Sequence, residues 1–326
     1  MPGRGLAIPN PYIAISKAKV VNAPESFAAF ESVGPKVCMV TANHGGFLGF
    51  QNHIQVGVFP MGGRFGGAKM DMHRELNPIG LAQYTMWKRW EDHEEMHMEQ
   101  FDSIFRLCSK CLGMVVEGPW EDVYEIVAHD MPQNVGMTDV PAVLGASFMA
   151  GEEVPPVSLP YGQRIIAIGD HSVIQGREEE FEQAVVKVME QFKKAPGFLG
   201  YMIMRQIGAS AVGSFQLEPD GIHQALQTLG DNPPSARDGN FQLMQAEKKP
   251  TEYIVHMEWA DMKSAMFGIS RVVVNHHVKA VHDKVLATVV QGPYITLWNP
   301  LMEDTSWREY LNEDGTVKVD ESVSQS

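Results

Sequence analysis

Apolar and polar positions along the chain change period several times, and each change marks an element. Residues 11–21 alternate toward apolar and predict a strand. Pro24-Glu25 opens a helix over about 24–34, with proline suited to a first turn. Gly34-Pro35 closes it, and Cys38 follows in a short apolar run to Thr41. Residues 47–59 predict a second strand. Residues 78–112 carry a long helical pattern that starts after Asn77-Pro78, and Val115 to Val127 returns to strand. From Glu178 to Lys194, Phe181, Val185, Val188, Met189 and Phe192 share one face of an amphipathic helix. Gly197 then stops it.

The pattern occurs twice. Gly46-Phe47-Leu48-Gly49-Phe50 followed by Gly57 returns as Gly197-Phe198-Leu199-Gly200-Tyr201 followed by Gly208, with the same spacing. Ile13-Ala14-Ile15 and Phe27 match Ile166-Ala167-Ile168 and Phe181. Tyr84, Trp90 and Asp92 align with Tyr253, Trp259 and Asp261 on one offset, and Val115-Val116-x-Gly118-Pro119-Trp120 aligns with Val289-Val290-x-Gly292-Pro293-Tyr294. Matched segments in the same order indicate duplication, and two copies are too few for a solenoid. Each copy reads strand, helix, strand, strand, helix, strand, which is the ferredoxin-like split motif. The expected class is α+β: two ferredoxin-like repeats whose sheets pair into a closed β-barrel surrounded by helices, which removes exposed edges. The expected boundaries are a first repeat over 1–130, a linker or rim loop over 131–162, a second repeat over 163–302 and a polar tail over 303–326. A surface excursion over 209–250 interrupts the second repeat.

The duplication acts as a control for candidate chemistry. His93 and His97 lie four apart in Trp90-Glu91-Asp92-His93-Glu94-Glu95-Met96-His97, so on a helix they share one face. Glu121 follows Gly118-Pro119-Trp120 on the next strand. On the alignment above His93 falls on Met262, His97 on Met266 and Glu121 on Ile295, so each ligand type faces an apolar residue in the other copy. That asymmetry points to one metal site. Two imidazoles and one carboxylate with open positions suit mononuclear non-haem Fe(II) and oxygen chemistry. Histidines on a solvated acidic helix are the bland alternative for the pair alone.

A rival reading is built into the same residues. His93-Glu94-Glu95-Met96-His97 also fits the H-E-x-x-H pattern of zinc proteases, with Glu94 as general base. No Gly-x-x-His extension follows it. A third class is a non-catalytic ferredoxin-like binding protein without stoichiometric metal.

Composition narrows the setting. The chain of 326 residues is 44% hydrophobic with a formal net charge of −14, which disfavours non-specific nucleic-acid binding. No stretch reaches the roughly 20 apolar residues of a membrane helix. No secretory signal is evident, and three cysteines cannot all pair, so a reducing cytoplasm is expected. Cys108 and Cys111 form a lone Cys-x-x-Cys without the second pair a zinc site needs. Cys38 is the stronger candidate for covalent work, although a lone cysteine is often a small buried hydrophobe. The 20 methionines serve mainly as gap fillers. His276, His277 and His282 read as helix-surface histidines rather than a second metal site.

The joint pattern of Cys38, His93-Glu94-Glu95-Met96-His97, Phe105-Arg106-Leu107-Cys108-x-x-Cys111 and Gly118-Pro119-Trp120-Glu121 resembles the sulfur oxygenase reductases of sulfur-oxidising archaea and bacteria. The resemblance extends over nearly the whole chain. It implies a cytoplasmic enzyme without external organic cofactor that converts elemental sulfur or polysulfide and O2 to sulfite, thiosulfate and hydrogen sulfide. It places the iron ligands at His93, His97 and Glu121, a persulfide-forming cysteine at Cys38, and two pocket thiols at Cys108 and Cys111. It also implies a homo-oligomer, a hollow sphere of twenty-four chains with Met- and Phe-lined channels, to which Phe148 would belong. The helical reading of 78–112 sits awkwardly with this pocket. His93 and Cys108 would be about 22 Å apart on a straight helix, so a shared pocket needs a break in the helix or an elongated shape.

Overall fold

The computed structural model describes residues 11–59, 78–131, 164–210 and 250–304. The first half contains β1 (Tyr12–Val20), α1 (Pro24–Ala42), β2 (Phe47–Phe59), β3 (Ile79–Trp87), α2 (Trp90–Glu99), α3 (Phe101–Cys108) and β4 (Val115–Asp130). The second contains β5 (Ile165–Val173), α4 (Glu178–Phe192), β6 (Phe198–Ala209), β7 (Thr251–Trp259), α5 (Met262–Val274), α6 (His276–Leu286) and β8 (Val289–Asp304). The eight strands close into one antiparallel barrel in the order β1-β3-β2-β8-β5-β7-β6-β4. The halves join at two seams, β2 with β8 and β4 with β6. Closure leaves no unpaired strand edge, as the expected α+β barrel requires. The expected 131–162 linker, Phe148, most of the 209–250 excursion and nearly all of the 303–326 tail lie outside the described residues.

Burial divides by strand parity. Ile13, Ile15, Tyr84, Tyr124, Ile166, Ile168, Met202, Met204 and Ile254 fill the barrel interior. Their neighbours on the strands face the helices: Ala14, Trp87 and Val123 in the first half, Tyr253, Val255 and Trp259 in the second. Both faces of each strand are therefore covered. This explains one corrected expectation. Residues 79–87 are strand β3, not the start of a long helix, because Ile79-Gly80-Leu81-Ala82-Gln83-Tyr84-Thr85-Met86-Trp87 is buried on both faces and loses the two-residue alternation that marks a strand. The remaining helical pattern is broken at Gln100, which separates α2 from α3 with non-helical φ −106° and ψ 11°.

A second correction concerns α1. It runs unbroken from Pro24 to Ala42 through Gly34-Pro35, so Cys38 lies on the helix rather than in a run after it. An internal proline costs a helix bond. Val33, Cys38 and Thr41 nevertheless bury one face of α1, and packing of such a face can outweigh local propensity.

The third correction is to the alignment of the halves. Tyr12 pairs with Trp87 and Ile165 with Trp259, so Trp87, not Trp90, is the counterpart of Trp259. Phe47 meets Trp87 edge-on at 5.5 Å just as Phe198 meets Trp259 at 4.8 Å. The Lys88 amide bonds Gly46 O as the Ala260 amide bonds Gly197 O. Arg89 and Asp261 are the matching helix N-caps. The correspondence therefore shifts by one helical turn. His93 faces Ala265 and His97 faces Ile269, both fully buried, instead of Met262 and Met266. Tyr84 points into the barrel and Tyr253 toward the helices, so their sequence match was fortuitous.

Candidate metal centre

β4 delivers the carboxylate. Gly118-Pro119 sits at an irregularity where β4 shifts register against β1 between Lys17 and Lys19. The peptide is cis, like its counterpart Gly292-Pro293, and Gly118 has φ 83°. A Cβ there would lie 2.6 Å from the Lys17 carbonyl oxygen, so glycine is required on both counts. Beyond this point Glu121 shares the helix-facing side with Val123, while Tyr124 points inward. α2 delivers the imidazoles. It packs close to the turn before β2: a Cβ on Gly46 would come within 2.3 Å of Asp92 Cβ. Trp87, fully buried, meets the His93 ring edge-on at 5.3 Å and sets its position.

The three side chains converge. Glu121 Oε1 is 3.3 Å from His93 Nε2, and Oε2 is 2.9 Å from His97 Nε2. The two Nε2 atoms are 3.1 Å apart. One ligand atom from each residue lies within 4.8 Å of the others, the only such group of His, Cys, Asp and Glu among the described residues. His93 Nδ1 lies 2.9 Å from Glu94 Oε1. A neutral His93 ring that donates its Nδ1–H to Glu94 would turn the Nε2 lone pair toward the cluster, the tautomer that a metal ligand needs. Burial pulls the Glu121 carboxyl upward, but His97 and His93 outweigh it and hold it well below the ordinary carboxylate range. Burial lowers His93, yet Glu121 and then Glu94 raise it to about 9. A buried carboxylate flanked by two imidazoles is thus held anionic and aimed at a common point. The donor set, two nitrogens and one carboxylate, fits a divalent transition metal.

Glu94 also bears on the protease reading. It is buried on the Nδ1 side of His93, away from the atoms that converge, so it orients the ring and is not placed as a base over a metal-bound water.

Beyond the break at Gln100, Ile104 and Cys108 of α3 pack with Trp87, Met96 and Val123. Burial pushes the Cys108 thiol up to about 12, with Cys111 and Glu121 adding to the rise. Cys108 is therefore near enough to feel the Glu121 charge. Cys111, buried in the turn after α3, is also raised by burial. None of the three cysteines is in a disulfide. Cys38 Sγ lies 3.1 Å from Gln83 Nε2 and 3.4 Å from Asn52 Nδ2. Sequence reasoning did not single out these two carboxamides, because nothing marks a strand amide as facing a thiol until strands and helix are packed.

Strand register links the two centres. Asn52 is opposite Gln83, Gln83 opposite Ser16, and Ser16 opposite Glu121. The four form one row across β2, β3, β1 and β4, all on the helix-facing side. At about 4.8 Å per strand, the Gln83 and Glu121 backbones are about 10 Å apart. The thiol and the ligand cluster are thus neighbours on one sheet face.

His276 and His277 are exposed at the start of α6. His282 is buried, contrary to the helix-surface expectation. It shares a cavity of about 30 Å³ with His171, Ile269 and Ile295. Ile269 and Ile295 are the counterparts of His97 and Glu121, so this small apolar cavity occupies the place of the ligand cluster in the second half.

Fold and site together define a duplicated α/β-barrel protein with one helix-covered two-histidine, one-carboxylate centre. The sulphur oxygenase reductase family model matches residues 9–308. The chain belongs to that family, and it is an oxidoreductase of sulfur metabolism. Among solved structures it is similar to an anthrone oxidase-like protein at 12% identity, covering 90% of this chain and 92% of that one with a TM-score of 0.51. It is also similar to a candidate monooxygenase from Fusobacterium nucleatum at 7% identity, covering 91% and 94% with a TM-score of 0.49. At 12% identity the first of these likenesses concerns the fold alone. No helix among the described residues is long and apolar enough to cross a membrane.

Proposed function

We propose that this oxidoreductase consumes elemental sulfur or polysulfide together with O2, yielding sulfite, thiosulfate and hydrogen sulfide. His93, His97 and Glu121 would hold one non-haem iron, and Cys38 would carry the sulfur chain as a persulfide. The observation that carries the reading is the convergence of both Nε2 atoms and the Glu121 carboxylate, with His93 Nδ1 tied to Glu94. Iron bound there would supply the redox chemistry and the open positions that O2 and sulfur need.

The chain's own residues divide the remaining tasks. The thiolate is the attacking form of cysteine. Burial raises Cys108 and Cys111, whereas the Asn52 and Gln83 N–H groups reach Cys38 Sγ, which supports Cys38 as the nucleophile. A chain of a few sulfurs, each bond about 2.05 Å, bridges the roughly 10 Å between the Cys38 row and Glu121. Cys108 and Cys111 would line the apolar wall beside it. Holding the chain at both ends replaces an encounter in solution by a positioned one. A cytoplasmic, twenty-four-subunit hollow assembly belongs to the same proposal.

Incubation with dispersed sulfur under air tests it: sulfite and sulfide should appear together without added reductant, and metal analysis should return iron near one per chain. Zinc with peptide cleavage would favour the protease reading. Absence of stoichiometric metal would favour a binding protein.

A further inference from the structure

Cys38 is 2% exposed, and two side chains that reach its sulfur, Asn52 and Gln83, present N–H groups. A neutral thiol is a weak acceptor, whereas a thiolate or persulfide sulfur is a strong one. Asn52 and Gln83 are direct partners across β2 and β3, so the sheet fixes the spacing of the two donors beneath α1. Two long side chains on separate loops would have to be ordered for the same geometry, at a cost in rotamer freedom.

We infer that Asn52 and Gln83 are positioning residues for sulfur capture, a pair of carboxamide donors that holds negative charge on Cys38 Sγ at one end of the row leading to Glu121. The inference rests on the reading of Cys38 as sulfur carrier and adds the groups that make it one. In the capture step the Cys38 thiolate attacks a sulfur of the ring or chain. A Cys38–S bond forms as one S–S bond breaks, and the electron pair of the broken bond leaves on the far sulfur as a terminal persulfide anion. The step is redox-neutral and requires no proton. The row directs the growing chain past Ser16 toward Glu121, the direction in which the ligand cluster lies.

The test follows the pH dependence of Cys38 alkylation by iodoacetamide in the full-length protein, resolved by peptide mass spectrometry so that Cys108 and Cys111 do not contribute. Gln83→Met and Asn52→Leu keep bulk and remove a donor. Each should move the midpoint up by about one pH unit, roughly a tenfold loss of thiolate at fixed pH. Gln83→Glu, nearly the same shape, replaces donors by a charged acceptor and should move it further. A structural role alone would not separate Gln83→Met from Gln83→Glu. Iron content should match the wild type in all three. Midpoints unchanged in both Gln83 variants would overturn the inference. Failure of the carrier reading is distinguishable, because it would appear as wild-type turnover in Cys38→Ala whatever the alkylation midpoints show.

Discussion

Glu94 Oε1 stands 2.9 Å from His93 Nδ1, on the opposite side of the ring from Glu121. The acid of the H-E-x-x-H pattern is therefore placed to hold the His93 ring, away from the point where the three candidate ligands converge. Groups that orient ligating histidines typically contribute about 10–100-fold in metal affinity. Glu94→Leu should weaken iron binding by about that factor, measured by competition with a chelator. Unaltered affinity would refute the orienting role.

His97 is only partly covered, and its ring reaches the cluster from the last turn of α2. His97→Ala should remove iron and turnover together while circular dichroism shows the fold retained. Full iron occupancy in this variant would reject the ligand assignment.

The three thiols should separate by function. Cys38→Ala should abolish turnover with iron still bound. Cys108→Ala and Cys111→Ala should lower the rate by about tenfold or less, a barrier change of about 1.4 kcal/mol at most. Equal loss in all three would show that Cys38 has no special role as nucleophile.

Ser16 lies between Gln83 and Glu121 in the cross-strand row and is partly exposed. Filling that position should obstruct the sulfur chain without touching either end. Ser16→Leu is expected to reduce turnover at least about tenfold, with normal iron content and normal Cys38 alkylation. Unimpaired turnover would mean that the chain takes another path.

Stability should depend on pH through the second half. Burial lowers both His171 and His282 to about 4. An unfolded histidine titrates near 6.5, so between about 4 and 6.5 the unfolded chain binds more protons than the folded one. The contribution is full above about 6.5 and is lost as pH falls toward 4, on the order of 1–3 kcal/mol per histidine. Denaturant midpoints should fall across this window in the wild type and fall less in His282→Leu. An identical pH slope in the variant would rule out His282 as a source.

Much of this was legible because the chain repeats itself. The Gly-Pro strand of each half, the amphipathic α4 and the one-sided presence of His93, His97 and Glu121 all survive as sequence signals, since each rests on residue type at short spacing. The alignment across α2 and α5 did not survive. A slip of one helical turn keeps nearly the same helix face, so Met262 and Met266 looked as suitable as Ala265 and Ile269. The exposure of Met266 at 38%, against Ile269 at 0%, and the pairing of Trp87 and Trp259 within their strands separate the two registers. β3 was hidden for a related reason: a strand covered by the barrel interior on one side and helices on the other has no polar face to alternate with.

Residue identity alone pointed to the duplication, the barrel class and the three candidate ligands, because ligand chemistry depends on donor atoms and duplication preserves pattern. Tertiary structure decided where the helix after β3 breaks, that α1 continues through Gly34-Pro35, that His282 is buried, and that Asn52, Gln83, Ser16 and Glu121 form one row. Those features depend on hydrogen-bond register between strands distant in sequence and on which faces the closed barrel leaves for helices to cover. Neither is encoded at a spacing that a local pattern can report.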